Sequence, residues 1–267
     1  MISALLLATV IISGIHIISW LKEGAQGEAE EQLMIDEFII SSTTETEEEP
    51  APETSLPVSD DSTANTTAPI SASNPIALDY DKLRMANADA VGWIHVPGTR
   101  VNHPVVQGKD NTEYLKKNLY GKKSSIGTPF LDCTNRLEPL DDNLIIYGHN
   151  MGIGRTTAFS TLLSYKKQKQ WLAYPTVELN LYGETTVWHI FAVFQTSVQT
   201  LSEYNYTTHN FLSAEDKAAF IQNAKQRALY PTDVEVPVDA PILTLSTCDT
   251  SRHGKNGRLI IMAFQKS

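Results

Sequence analysis

With 267 residues, 42% of them hydrophobic, the chain is long enough for one or two domains with a sizeable core. Its formal net charge of −10 is concentrated in one segment, because residues 23–74 contain 13 acidic and no basic side chains, whereas residues 76–267 contain 18 acidic and 20 basic ones. No stripe of basic residues interleaved with aromatic residues is present, which argues against nucleic acid as a partner. The two cysteines form no CxxC pair, and the sequence predicts no metal site and no cofactor.

Residues 1–21 are predicted to form a transmembrane anchor. The run at residues 2–20, ISALLLATVIISGIHIISW, has no charged side chain and is about long enough to cross a bilayer as one helix. A cleaved signal peptide is the alternative, but this run is longer than a usual signal-peptide core and no basic residue precedes it. Lys22, the only basic residue nearby, follows the run, so the positive-inside rule does not give the orientation.

Residues 22–75 are predicted to form a disordered acidic tether. The stretch SSTTETEEEPAPETSLPVSDDSTANTTAP is dominated by Ser, Thr, Glu and Pro and lacks aromatic side chains. Such a composition cannot bury enough apolar area to offset its chain entropy, and its like charges repel one another. The patch EQLMIDEFII at residues 31–40 could form a short helix near the membrane. We therefore expect a passive spacer between the anchor and the folded domain.

Residues 76–267 are predicted to form one mainly β domain. An amphipathic helix candidate, LDYDKLRMANAD, is followed by the β-type runs VGWIHV, RVNHPVVQG, GTPFLD and DDNLIIYGHN. A hairpin turn is expected near Tyr182 and Gly183, and a longer helix after Ser213, which can cap it with Asp216 at the third helical position. The β runs APILTLS and RLIIMAF close the domain. Many short strands and few helices favour a barrel or sandwich over a βαβ fold.

The stretch LTLSTCDTSRHGKNGRLII contains a thiol, Cys248, at the end of one β run. A core side chain is one interpretation, since buried cysteines are common, and a disulfide with Cys133 is another. A nucleophile is the third, because Thr, Ser and Asp residues surround the thiol and a strand end is reachable. Arg258 begins the next β run. If the two strands pair, its guanidinium lies beside the thiol, where it could hold a tetrahedral oxyanion.

A thiol nucleophile needs an acid or base, and His149 is the first candidate among the seven histidines. It follows a buried-looking β run in NLIIYGHNMG, a strand-end position like that of Cys248. His253 ranks second, because it is close to Cys248 in sequence but lies in a loop-like stretch. Asp249 is a candidate for orienting His149. A loop acid is the simpler interpretation of Asp249, since adjacent residues of an extended chain point to opposite faces.

The motif TLSTC, with an arginine at the tenth position after the cysteine and IIYGHNM upstream, resembles class B sortases. The stretch VGWIHVPGTRVNHPVVQGKDNTEYLKKNLYGKKSSIGTPFLD is similar to the N-terminal half of that family, and the similarity covers roughly residues 80–264. The resemblance implies an eight-stranded sortase β-barrel with an N-terminal helical extension and one longer inserted helix. It assigns Cys248 as nucleophile, His149 as general acid/base and Arg258 as oxyanion or substrate-positioning group. The substrate-groove positions that it implies are Ser246, Asn111, Leu115 and Tyr206.

The activity implied by the resemblance is cysteine transpeptidation. A C-terminal sorting signal of a surface protein would be cleaved through a thioacyl-enzyme, and the new carboxyl end joined to a cell-wall amine. The implied partners are surface proteins with such signals, a peptidoglycan precursor or a pilin amine as acceptor, and the membrane through the N-terminal helix. The implied location is the cell membrane of a Gram-positive bacterium, as a single-pass protein with its catalytic domain outside. Alternatives are a pilin-polymerising sortase with a Lys acceptor, a cysteine endopeptidase that only hydrolyses, and a non-catalytic surface domain.

Overall fold

A computed structural model describes residues 2–40 and 76–266 of the chain. The α-helices are α1 (Ile2–Phe38), α2 (Tyr80–Ala86), α3 (Gln168–Ala173), α4 (Ala214–Arg227) and α5 (Thr250–His253). The strands are β1 (Ala90–His95), β2 (Asn102–Val106), β3 (Phe130–Leu131), β4 (Asn143–Tyr147), β5 (Thr176–Leu181), β6 (Glu184–Ser197), β7 (Ile242–Cys248) and β8 (Gly257–Gln265). The predicted opening helix contains α2, and the β-type runs overlap with β1 to β4, β7 and β8.

The strands close into one barrel in the order β1-β2-β3-β4-β7-β8-β6-β5. The pairs β2–β3 and β4–β7 are parallel, and the other pairs are antiparallel. A closed barrel of eight strands confirms the predicted mainly β fold and decides between the barrel and the sandwich.

Strand β8 shows why the last run of the sequence is apolar at successive positions. Leu259 and Ile261 belong to the cluster that fills the barrel, whereas Ile260 and Met262 belong to a second cluster outside it. Helix α4 covers this outer cluster and contributes Phe220 to it. Because successive side chains of a strand point to opposite faces, a strand buried on both faces is a continuous apolar run.

Two local predictions are confirmed in detail. The Ser213 hydroxyl accepts a hydrogen bond from the backbone N–H of Asp216 at 3.1 Å, so Ser213 caps α4, the predicted longer helix. Tyr182 and Gly183 connect β5 to β6 with φ values of 52° and 93°. Positive φ at both central residues is what a tight hairpin turn requires, and glycine adopts it without strain.

Helix α1 differs from the sequence prediction. It runs through the predicted anchor and continues to Phe38, so the disordered tether predicted from residue 22 is wrong for residues 22–38, whereas the short helix considered for residues 31–40 is present up to Phe38. The reason is burial, because Met34 and Phe38 lie one helical turn apart and pack in a cluster that also contains Trp93 of the barrel. The remainder of the predicted tether, residues 41–75, lies outside the described residues. In the described part of the chain, no helix combines the length and the apolar character needed to cross a membrane.

Two strand pairings bring the predicted site together. In the parallel pair β4–β7, Tyr147 lies opposite Ser246, so the residues that follow both strands leave the barrel at the same end. In the antiparallel pair β7–β8, Cys248 lies directly opposite Arg258. Cys248 and Arg258, which are separated along the sequence, are therefore neighbours on adjacent strands.

Candidate active site

An open cleft of about 520 Å³ lies at the barrel end where β4 and β7 finish and β8 begins. A cleft of this size, with a few convergent polar groups, has the character of a binding site. Aromatic and apolar side chains contribute to its wall, among them Phe130, Val198 and Leu201. All the residues that the sequence analysis proposed for catalysis and substrate binding line it: Cys248, His149, Arg258, Ser246, Asn111, Leu115 and Tyr206.

Cys248 is the last residue of β7 and is half-buried in the wall of the cleft. Its thiol is free, as is that of Cys133, so the two cysteines form no disulfide. The side-chain amide of Asn150 donates a hydrogen bond to the Cys248 carbonyl oxygen at 2.8 Å, which holds the two strand ends together. A partly exposed thiol in a cleft fits a nucleophile better than it fits a core side chain.

Arg258 shares the cleft with the thiol because of strand pairing. Side chains directly opposite in an antiparallel pair lie on the same face, with Cβ atoms about 4.5–5.5 Å apart. The guanidinium Nη1 donates a hydrogen bond to the carbonyl oxygen of Gly257 at 2.8 Å, which holds the group at the start of β8. A permanently charged planar group in this position can stabilise a tetrahedral oxyanion.

His149 follows β4 and is held by its side chain and its backbone. Its Nε2 lies 2.9 Å from the carbonyl oxygen of Leu115. A carbonyl oxygen can only accept, so Nε2 carries the hydrogen and Nδ1 is the atom that can exchange a proton with a substrate. The backbone N–H of Phe159 donates to the His149 carbonyl oxygen at 2.8 Å. Leu115 therefore orients the imidazole in addition to lining the cleft.

Gly148 connects β4 to His149, and its lack of a side chain is required by close packing. A Cβ at this position would lie 2.4 Å from the ring of Phe159. The hydroxyl of Thr247 donates a hydrogen bond to the Gly148 carbonyl oxygen at 2.8 Å. These contacts fix the residue before the imidazole against the end of β7.

The predicted groove residues carry hydrogen bonds that orient them. The hydroxyl of buried Tyr206 lies 3.4 Å from Oγ of Ser246, and burial raises the pKa of Tyr206, so it remains a neutral hydrogen-bonding group. The Asn111 side chain donates through Nδ2 to Asp132 at 2.8 Å and accepts through Oδ1 from the Cys133 N–H at 2.8 Å. The groove is therefore formed by groups with fixed directions.

Comparison with known proteins places this cleft in a family. A family model described as Sortase domain matches residues 94–266. Sortase B of Listeria monocytogenes is 35% identical over 179 residues, which cover 67% of this chain and 70% of that protein. Sortase B of Staphylococcus aureus is 32% identical over 185 residues, which cover 69% of this chain and 73% of that protein. The chain belongs to the class B sortases.

The fold agrees with this assignment, since the solved Staphylococcus aureus sortase B–substrate complex matches with a TM-score of 0.64 and 30% identity over 70% of this chain and 84% of that one. This sortase is therefore a cysteine transpeptidase, and the resemblance found in the sequence is confirmed. The relatives favour neither a pilin polymerase nor a purely hydrolytic enzyme. The family is associated with the cell envelope and acts on substrates that carry sorting signals.

The sequence analysis did not single out Asp132 and Tyr147, which support the sortase cleft. The Tyr147 hydroxyl donates to the Asp132 carboxylate at 2.9 Å. Burial alone would raise the pKa of Asp132, but hydrogen bonds from Thr134, Tyr147 and Asn111 outweigh it and hold the pKa below its usual range. Both residues end β-type runs, FLD and LIIY, and that position is the signal that could have identified them.

Asp249 follows the sortase thiol, but its partners lie away from His149. Its carboxylate accepts a hydrogen bond from Gln195 at 2.6 Å and forms an ion pair with Lys166 at 3.1 Å. Burial opposes ionisation, yet the bonds from Ser251, Gln195 and Lys166 lower the pKa of Asp249 to about 2. The geometry therefore supports the loop acid over a residue that orients the imidazole.

His253, the second-ranked histidine, is exposed at the end of α5 and does not line the cleft. His149 is therefore the histidine that shares the sortase cleft with the thiol. Within residues 2–40 and 76–266, no group of three or more His, Cys, Asp or Glu side chains is placed to hold a metal ion.

Proposed function

We propose that Cys248 is the nucleophile of this sortase, His149 its general acid and base, and Arg258 the group that holds the oxyanion. The observation that carries the proposal is the direct pairing of Cys248 with Arg258 across β7 and β8, at a cleft that His149 also lines. The parallel pairing of β4 with β7 supports it, because both strands end on the same side of the barrel. Together these groups supply what acyl transfer by a thiol needs.

In the first half-reaction, the Cys248 thiolate attacks a backbone carbonyl carbon of the sorting signal, after a threonine, and forms an S–C bond. Arg258 binds the oxyanion of the tetrahedral intermediate. The C–N bond then breaks, and His149 gives the leaving amine the proton that its Nδ1 took from the Cys248 thiol when the thiolate formed, so that a thioacyl-enzyme remains. In the second half-reaction, an acceptor amine attacks the thioester and loses a proton to His149. A new amide bond forms and the thiolate is released.

The substrates in this proposal are surface proteins with a C-terminal sorting signal, and the acceptor is an amine of a peptidoglycan precursor. The substrate complex of the Staphylococcus aureus relative supports a peptide in the corresponding cleft here. Asn111, Leu115, Tyr206 and Ser246 would contact the signal, since they line the cleft beside the thiol. A pilin lysine is the second acceptor class to be tested.

The proposed location is the cell membrane, with residues 1–21 as a single-pass anchor and the catalytic domain, residues 76–267, on the extracellular side. Support comes from the uncharged run at residues 2–20 and from the association of the family with the cell envelope. Residues 22–38 of α1 would hold the catalytic domain next to the anchor, since this part of the helix packs on the barrel. Membrane fractionation of intact cells, followed by protease treatment from outside, tests this topology. Recovery of the full chain in the soluble fraction would contradict it.

The chemistry is tested with a panel of internally quenched peptides that differ in the residues around a threonine, with triglycine as the amine. We expect wild type to cleave one of the peptides, to accumulate a thioacyl adduct on Cys248 visible by mass spectrometry, and to form a ligated product with triglycine. Cys248→Ala should abolish cleavage, and His149→Ala and Arg258→Ala should reduce it severely. Full activity of Cys248→Ala would refute the mechanism, and cleavage without ligated product for triglycine, stem-peptide and pilin-lysine amines would indicate a hydrolase.

A further inference from the structure

Helix α1 contacts the segment that follows His149 in the chain. The Arg155 guanidinium lies 4.0 Å above the ring of Trp20, and the Thr156 hydroxyl donates a hydrogen bond to the carboxylate of Glu28. A Cβ at Gly24 would lie 1.9 Å from the Arg155 guanidinium. The helix surface therefore fits this segment closely, and glycine permits the approach.

The contact continues to Ala158, a buried residue in a strained conformation. Its φ is 50°, in the left-handed region that a residue with a Cβ enters at a cost of about 1–2 kcal/mol. Its N–H donates to Oε1 of Glu31 in α1 at 2.8 Å, and its carbonyl oxygen accepts from Nε2 of His103 at 3.1 Å. Both backbone polar groups of Ala158 are therefore held, one of them by the helix.

Ala158 is directly connected to the backbone of His149. The next residue, Phe159, donates its N–H to the His149 carbonyl oxygen at 2.8 Å. Ala158 itself forms a β-bridge with Asn150, the residue after the histidine. A shift of Ala158 would therefore move the backbone that holds the imidazole.

The second support of His149 also lies against α1. The imidazole is bound by the Leu115 carbonyl oxygen, and a Cβ at Gly127 would lie 3.0 Å from that oxygen. The adjacent residue, Ile126, packs so closely on Gly27 of α1 that a Cβ there would lie 2.2 Å from Cδ1 of Ile126. Helix α1 thus touches the segment that follows His149 directly, and it reaches Leu115 through Ile126 and Gly127.

We propose that Glu31 is a positioning residue for His149, and that the docking of α1 on the barrel through Glu31 sets the geometry of proton transfer. The route is Glu31 to the N–H of Ala158, and from Phe159 to the His149 backbone. This inference rests on the proposed role of His149 and goes beyond it, since it makes the part of α1 that follows the predicted anchor necessary for catalysis.

The charge state of Glu31 provides a readout that a purely structural role would not produce. Burial raises its pKa to about 8, against the lowering effect of the Ala158 N–H. Because the ordinary value is 4.5, deprotonation costs the docked state more than the undocked one, and docking weakens as the pH rises from about 4.5 to about 8. His103 is neutral in this range, since burial lowers its pKa to about 4. The charged and titratable groups that face Glu31 are Arg100, Glu28, Glu30 and His103.

The test uses the full-length chain, the fastest quenched peptide of the panel described above, and triglycine. Glu31→Ala removes the acceptor of the Ala158 N–H, and we expect kcat to fall about tenfold to a hundredfold with KM for the peptide unchanged. Glu31→Gln keeps an oxygen acceptor and should restore kcat. Glu37→Ala is the matched control, because Glu37 lies on the same helix and contacts the barrel elsewhere, through the hydroxyl of Tyr120 at 2.7 Å. It should leave kcat unchanged.

The pH profile supplies a second measurement on the same proteins. The ratio of kcat for Glu31→Gln to that for wild type should increase between pH 5 and pH 8, because glutamine cannot ionise. A constant ratio, or an unchanged kcat in Glu31→Ala, would overturn the proposal. An equal loss in Glu37→Ala would also overturn it, since helix docking in general would then explain the effect.

His149→Ala distinguishes a failure of the proposed function from a failure of this inference. If His149→Ala stays active, the proposed function fails. If His149→Ala is inactive while Glu31→Ala is normal, only this inference fails.

Discussion

The position of Arg258 beside Cys248 depends on the register of β8. A slip of one residue would turn the guanidinium to the other face of the strand, because side chains alternate. The register is specified by packing, since Leu259 and Ile261 fill the barrel while Ile260 lies under α4. The placement of this charge is therefore a consequence of apolar burial further along the same strand.

Arg258→Ala should lower kcat by about 10²–10³, because it removes the charged donor proposed to bind the oxyanion. Arg258→Lys should recover only part of this loss, since an ammonium lacks the planar fork of a guanidinium. Both are measured with the quenched peptide, and Arg252→Ala, an exposed site in α5, is the control. Equal turnover in Arg258→Lys and wild type would show that charge alone is sufficient.

Asp249→Asn should reduce the free energy of unfolding by about 1–3 kcal/mol with turnover close to wild type, because the carboxylate binds Lys166 and Gln195 and does not contact the imidazole. The folded-state pKa of about 2 lies below the ordinary 3.8, so this contribution is full above about pH 4 and is lost as the pH falls toward 2. Urea unfolding at several pH values measures it. Asp239→Asn, at an exposed site, is the control. A severe loss of kcat in Asp249→Asn would instead indicate that Asp249 takes part in catalysis.

The helices α4 and α1 are both held by their buried faces. They differ in how well their own sequences predict them. α4 begins at a capping serine and places Phe220, Ile221 and Ala224 on one face, against the outer cluster of the barrel. These signals lie within the helix itself. α1 combines an uncharged part with an acidic part, and its burial depends on barrel residues far away in the sequence.

Ser213→Ala should lower the free energy of unfolding by about 1 kcal/mol, because the first turn of α4 loses the acceptor for the Asp216 N–H. Ser213→Thr retains a hydroxyl and should lose less. Urea denaturation gives both values, and kcat should be unchanged because α4 does not line the cleft. Equal stability of the alanine variant and wild type would show that the cap contributes nothing measurable.

Phe38→Ala should lower the free energy of unfolding by about 3–5 kcal/mol. The Phe38 side chain is 1% exposed, and its ring centroid lies 6.3 Å from that of Trp93. Leu33→Ala on the same helix should cost less than about 0.5 kcal/mol, because Leu33 is 67% exposed. Denaturant unfolding followed by tryptophan fluorescence compares the two. Similar losses in both variants would argue against the docked helix.

At the scale of the whole molecule, short-range patterns predicted most of the fold, and long-range contacts account for what was missed. The strands, the hairpin at Gly183 and the capped α4 each follow from turn, capping or alternation signals within a few residues. Cys248 and Arg258 were candidates because each lies at the end of an apolar run, and family resemblance supported that choice. The continuation of α1 to Phe38 and the bond from Ala158 to Glu31 join segments more than fifty residues apart, and no local pattern encodes such contacts.

The environment of Cys133 predicts that this thiol reacts more slowly than an ordinary one. Burial and the carboxylates of Asp132 and Asp110 raise the pKa of Cys133, which lowers the fraction of thiolate present at neutral pH. Cys248, in contrast, lies in the wall of the open cleft. A fluorescent alkylating reagent, applied briefly at neutral pH, should therefore label Cys248 before Cys133. The fluorescence per chain would then count the chains with an accessible Cys248 in a preparation, and Cys133 would not need to be replaced beforehand.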